Sequence, residues 1–123
     1  MSKKFFVALM GLASVAAMST AAFAHPKLMS STPAENATVA AAPSEIRIMF
    51  NENLESSLSG GDLLNKTGKK IETGKAATDP TDKKQLVIPI VGQLADGTYT
   101  VDWHAVAADS HRIKGQYTFT VKH

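Results

Sequence analysis

Two stretches near the end of the chain, Thr98 to Val106 and Ile113 to Val121, set an apolar or aromatic residue at every second position. Tyr99, Val101, Trp103 and Ala105 share one face of the first stretch, and Ile113, Gly115, Tyr117, Phe119 and Val121 share one face of the second. Alternate side chains of an extended chain point to opposite sides, so a period of two commits both stretches to half-buried β-strands. Ser44 to Asn51 repeats the pattern, with Ile46, Ile48 and Phe50 opposed to Glu45, Arg47, Met49 and Asn51.

Turn residues divide the remainder into similar pieces. Leu28 to Ser31 reads as a short first strand, Thr32-Pro33-Ala34-Glu35-Asn36 as a turn and Ala40 to Pro43 as a small-residue connection. Leu58 to Leu64 is a weaker strand whose Gly60-Gly61 pair marks a bulge or a close backbone approach. Asn65-Lys66-Thr67-Gly68 turns into a second hairpin strand running through Ile71 to about Lys75, and Ala76 to Lys84 reads as a solvated loop. Gln85 to Ile90 is apolar and β-branched, with Pro89 confining it to an edge or a strand end, and Ala95-Asp96-Gly97 turns into the strand at Thr98. No stretch beyond residue 24 shows a sustained helical period. The expected fold is all-β, a small antiparallel Greek-key barrel or sandwich of about seven strands.

The first 24 residues have a different pattern. Lys3 and Lys4, the apolar run Phe5 to Ala17, and the small residues Ala22 and Ala24 form a secretory signal with a cleavage site before His25. Cleavage after Ala22 would satisfy the same rule. Residues 25–123 then form one domain of 99 residues, enough for a single small core. There is no cysteine, so disulfides, thiolate metal sites and thiol catalysis are excluded. Beyond residue 24, 11 basic residues balance 11 acidic ones, no apolar run is long enough to span a bilayer, and no basic patch interleaved with aromatics points to nucleic acid. The expectation is an exported, periplasmic monomer.

Cleavage before His25 would create a chelate from the free α-amine and the imidazole, both of which titrate near neutrality. Pro26 has no amide proton to lose, so further ligands must come from elsewhere. The competing reading is that His25 is the first residue by coincidence. Asp109-Ser110-His111 offers the complement. In extended backbone, residues at i and i+2 point the same way about 6 to 7 Å apart, so a carboxylate and an imidazole can face one ion. Taken alone, Asp109 and Ser110 would be ordinary turn formers. Together with His25 they give three nitrogens and one anionic oxygen, a set that suits tetragonal Cu(II), although Zn(II) could occupy the same side chains.

His25-Pro26-Lys27-Leu28, Ser31-Thr32-Pro33-Ala34, Phe50-Asn51-Glu52-Asn53-Leu54, and Gly97-Thr98-Tyr99-Thr100-Val101-Asp102-Trp103 leading to Asp109-Ser110-His111 and Gly115 resemble the CopC family of periplasmic copper-binding proteins. The resemblance runs over nearly all of residues 25–123. It implies a cupredoxin-like Greek-key barrel that holds one Cu(II) per chain through His25, Asp109 and His111, with Glu52 as an acceptor near the copper. It also implies association with copper-transport membrane proteins or other periplasmic copper proteins. Family members with a second, Cu(I) site carry a Met-rich loop with a central His, whereas residues 50–122 here contain no Met. The resemblance is therefore to a member with the Cu(II) site alone.

His104 reads as a surface or hydrogen-bonded side chain, with a place beside the copper ligands as the alternative. His123 reads as frayed, Met29 and Met49 as core or partly buried packing, Trp103 and Tyr99 as core aromatics, and Lys66, Lys69, Lys70, Lys83 and Lys84 as solvated charges that discourage edge pairing. Three functions compete: a non-enzymatic copper carrier or buffer serving copper resistance or homeostasis, a copper-dependent oxidative enzyme of the N-terminal-His type, and a metal-free Ig-like module. The enzyme reading has against it the short chain and an anionic Asp109 ligand that favours Cu(II) over redox cycling.

Overall fold

The computed structural model describes residues 27–123; the signal-like segment 1–24, His25 and Pro26 lie outside the described residues. Nine strands form among the described residues: β1 (Leu28–Thr32), β2 (Thr38–Val39), β3 (Glu45–Phe50), β4 (Gly60–Leu64), β5 (Lys70–Ile71), β6 (Ala77–Asp79), β7 (Asp82–Pro89), β8 (Gly97–Val106) and β9 (Arg112–Val121). One 3-10 turn, Ser56–Leu58, precedes β4 where the sequence pattern had extended that strand. The strands make two sheets, ordered β1-β3-β7-β6 and β2-β9-β8-β4-β5. All pairs are antiparallel except β2 with β9. The fold is thus a mostly antiparallel sandwich of two separate sheets.

The alternating residues close the core as their period requires. Ile46, Ile48 and Phe50 of β3 and Leu86 and Ile88 of β7 face Tyr99, Val101, Trp103 and Ala105 of β8 and Tyr117, Phe119 and Val121 of β9. Phe50 meets Trp103 edge-on at a centroid distance of 5.2 Å. Tyr99 stacks on Phe119 at 5.7 Å, and its hydroxyl donates to the Ala95 carbonyl at 2.6 Å. A buried tyrosine needs such a partner for its polar end.

Gly115 pairs with Trp103 across the hairpin and leaves room for the indole. A Cβ at Gly115 would lie 2.6 Å from Trp103 Cζ2, inside any tolerable contact. The indole cannot retreat freely, because Phe50 packs against it. Gly115→Ala is expected to destabilise the domain by about 1–3 kcal/mol through overpacking. Thermal unfolding followed by circular dichroism should show this as a midpoint lowered by several degrees; an unchanged midpoint would mean that the indole has somewhere else to go.

Several segments depart from their sequence pattern. Ala76 to Lys84, expected as a loop, forms β6, a turn at Pro80-Thr81 and the start of β7. The hairpin is tied by ionic contacts that periodicity does not reveal. Arg47 Nη1 on β3 donates to Asp79 Oδ2 at 2.8 Å and to Gln85 Oε1 at 3.0 Å, and the Arg47 guanidinium also contacts the Glu45 carboxylate. Asp79 in turn accepts from the Thr81 backbone N–H and hydroxyl, each at 2.8 Å. The guanidinium and these donors hold the Asp79 carboxyl down to about 2.

β7 lies inside its sheet between β3 and β6, and Pro89 sits at its end, where the missing N–H costs least. The strand expected from Ile71 to Lys75 pairs with β4 only at Lys70–Ile71 before the chain turns to bridge Thr73 with Ile90. Met29 and Met49 are not core residues. They are 58% and 38% exposed, Met49 on the outer face of β3 and Met29 at a bulge in β1. His123 is not frayed: its N–H donates to Asp96 Oδ1 at 3.0 Å and its Nδ1 contacts the same carboxylate.

Candidate metal centre

The hairpin joining β8 to β9 closes with a loop of three residues, 108–110, after its last pair of flanking residues. Ala107 donates to the His111 carbonyl at 2.8 Å, and Ser110 donates to the Ala107 carbonyl at 2.8 Å. Ser110 has φ 80°, the left-handed conformation usual at the third position of such loops. Asn and Gly are the commoner residues there, which is one reason the loop is not obvious from sequence.

This loop brings Asp109 and His111 together by a turn, correcting the expectation of extended backbone between them. Asp109 Oδ1 accepts the His111 backbone N–H at 3.1 Å, and Asp109 Oδ2 lies 3.0 Å from His111 Nδ1. The carboxylate thus fixes its own turn and orients the imidazole at once. The His111 backbone N–H, then its imidazole, hold the Asp109 carboxyl below the usual carboxylate range. The side chains are 50% and 37% exposed, open to an ion from solvent. Orientation of a histidine by a carboxylate on one ring nitrogen is the common arrangement behind a metal ligand.

A further segment reaches this loop. Residues 53–55 run antiparallel to residues 106–108: Ala108 donates to the Asn53 carbonyl at 3.0 Å, Leu54 bridges Ala107, and Glu55 donates to the Val106 carbonyl at 2.8 Å. Leu54, 3% exposed, anchors this segment in the core. Just before it, the Lys27 N–H donates to Asn51 Oδ1 at 2.7 Å while Asn51 donates to the Lys27 carbonyl at 3.1 Å. Lys27 follows His25 by two residues. One short segment, 51–55, therefore touches both the start of the described chain and the Asp109–His111 loop.

Of the other expected site residues, Glu52 lies in this connecting segment, half-buried. His104 pairs with Lys114, two pairs along from the Val106–Arg112 pair that closes the hairpin. It is exposed, and its ring lies over Gly60, where a Cβ would come within 3.3 Å of His104 Cε1. Among the described residues, no three His, Asp or Glu side chains cluster closely enough to hold a metal by themselves. Asn51 and Asn53 were missed in the sequence. Their signal lay in Phe50-Asn51-Glu52-Asn53-Leu54, where Glu52 drew attention for its charge and its two neighbours make the connecting bonds.

Comparison with known proteins agrees over this whole region. Protein YobA of Escherichia coli K12 is 44% identical over 100 residues, 81% of this chain and 81% of that protein. Copper resistance protein C of Pseudomonas syringae pv. tomato is 43% identical over 110 residues, 85% of this chain and 86% of that protein. The crystal structure of PcoC, a methionine-rich copper resistance protein from Escherichia coli, superimposes with a TM-score of 0.72 at 42% identity, covering 80% of this chain and 100% of that one. The CopC domain matches residues 28–122, which takes in both sheets, the connecting segment and the Asp109–His111 loop, and the chain belongs to the CopC family.

Proposed function

We propose that the protein is a copper carrier or buffer that binds one Cu(II) per chain through the α-amine and imidazole of His25, the imidazole of His111 and a carboxylate oxygen of Asp109. CopC-family proteins are periplasmic and handle copper without catalysing a reaction. The chain specified here would share that location, with residues 1–24 removed as a signal peptide and residues 25–123 acting as a monomeric domain. The observation that carries the reading is the segment 51–55, bonded at one end to Lys27 and at the other to the loop of Asp109 and His111. It links Lys27, two residues after His25 in sequence, to the loop of Asp109 and His111, which supports a site shared by the two.

Three nitrogens and one anionic oxygen favour Cu(II) in a tetragonal arrangement, and Cu(II) stands above Zn(II) in the general order of affinities. Thioether donors for Cu(I) are few. Beyond residue 24 the chain has only Met29 and Met49, in contrast with the methionine-rich PcoC. Delivery to, or withdrawal from, a copper-transport membrane protein or another periplasmic copper protein follows as the role of such a carrier.

The test is a Cu(II) titration with EPR on protein beginning at His25, beside a version bearing one extra residue before it. The expected result is one-to-one binding with a nitrogen-rich tetragonal spectrum, weakened and altered by the extension, which removes the chelating α-amine. Equal, weak binding by both proteins would replace the carrier with a metal-free module.

A further inference from the structure

Resting on that copper-site reading, we infer that Asn51 is a positioning residue for the N-terminal ligand. β1 and β3 pair through Leu28 and Phe50, and the ladder would end there. Asn51 continues it by one step in an unusual way: its backbone donates to the Lys27 carbonyl at 3.1 Å while its side-chain oxygen accepts the Lys27 N–H at 2.7 Å. Both backbone groups of Lys27 are thereby satisfied by one residue. An asparagine amide oxygen serves here because it can stand in for a backbone carbonyl at about the same reach.

The consequence for a ligand at His25 is entropic. A chain end normally frays, and every backbone residue that must be ordered when the metal binds weakens binding. With Lys27 held, only His25 and Pro26 remain to be placed, and proline is already restricted in φ. Asn51 is also two residues from Asn53, whose carbonyl holds Ala108 at the start of the Asp109–His111 loop. The clamp therefore ties Lys27 to the segment that also holds the loop of Asp109 and His111. Asn51 itself is exposed and lies outside the hydrophobic core.

The variants are Asn51→Ala, which removes the acceptor, and Asn51→Asp, which keeps it. Each is compared in two backgrounds, the protein beginning at His25 and the form extended by one residue. Losing the clamp frees about one residue of backbone, so Asn51→Ala should weaken Cu(II) binding about tenfold in the His25 protein, equivalent to about 1.4 kcal/mol. It should have less than a twofold effect in the extended form, where the α-amine no longer binds. Asn51→Asp should restore affinity to the parent value or above it. Hydrogen exchange at the Lys27 amide, measured without metal, should lose its protection in Asn51→Ala and keep it in Asn51→Asp. The thermal midpoint of the metal-free protein should stay within about 2 °C of the parent, as expected for an exposed side chain outside the core.

Equal weakening in both backgrounds would mean that Asn51 acts on folding or on the loop instead of on the chain end, and would overturn the inference. Unchanged affinity in the His25 protein would overturn it as well. Failure of the copper-site reading looks different, since the parent protein itself would then show no discrete one-to-one binding.

Discussion

His111→Ala is expected to reduce Cu(II) affinity by more than 100-fold, with loss of nitrogen hyperfine structure from the EPR spectrum. Removing a partner behind a metal ligand typically lowers affinity 10- to 100-fold, and removing the ligand itself should exceed that range. The fold should be untouched, because the His111 side chain is partly exposed beside the loop and the core closes without it. Asp109 allows the ligand and turn roles to be separated. Asp109→Asn keeps an oxygen that can accept the His111 backbone N–H, so the loop should persist while the anionic donor is lost. Asp109→Ala loses both the donor and the turn bond now made at 3.1 Å. Affinity should therefore fall in the order parent, Asp109→Asn, Asp109→Ala, as read by competition against a chelator of known strength. A His111→Ala protein that binds Cu(II) as tightly as its parent would remove His111 from the site.

Phe50→Ala should produce the largest loss of stability among single changes to the core. Phe50 is 1% exposed and packs edge-on against Trp103, so its removal leaves a ring-sized hole between the two sheets. Phenylalanine-to-alanine changes in such settings cost about 3–5 kcal/mol. In a domain of this size that lowers the unfolding midpoint by roughly 15 to 30 °C and takes away a large part of a typical total stability. Phe50→Leu, which refills much of the volume, should recover most of it. Thermal unfolding monitored by Trp103 fluorescence would measure both, and a Phe50→Ala midpoint within a few degrees of the parent would show that the sheets collapse onto the vacancy.

The strands whose apolar faces are buried were readable from sequence because burial writes a period of two into the chain. β3, β8 and β9 have their expected inward residues, and Gly115 sits among them where the indole requires it. The β6–β7 hairpin was not readable. Its polar residues look like a loop, yet they pair through the backbone, and Arg47, distant in sequence, ties the hairpin by reaching Asp79 and Gln85. Met29 faces outward next to Leu28, which packs against the core.

The candidate site divides in the same way. Asp109 and His111 are singled out by joining a weak spacing signal to His25 and to the family resemblance, and their side chains meet through a turn with Ser110 in the left-handed region and not through extended backbone. Asn51 and Asn53 were not recognised as connecting residues, because a bond to a distant segment, whether from the Asn51 side chain to Lys27 or from the Asn53 carbonyl to Ala108, leaves no local period in the sequence. His25 stays a proposal drawn from sequence, while the bonds around Lys27 and Ala108 explain how the fold could serve it.

The loop of Asp109 and His111 projects from the end of a hairpin whose strands are buried elsewhere by Tyr99, Val101, Trp103, Tyr117 and Phe119. No part of the hydrophobic interior waits for these two side chains to be neutralised or coordinated. Small domains that are assembled by a metal unfold when a chelator strips it. Here the core closes without either side chain, so in the proposed copper site an incoming donor from solvent would be able to exchange places with Asp109 or His111 while the sandwich stays shut.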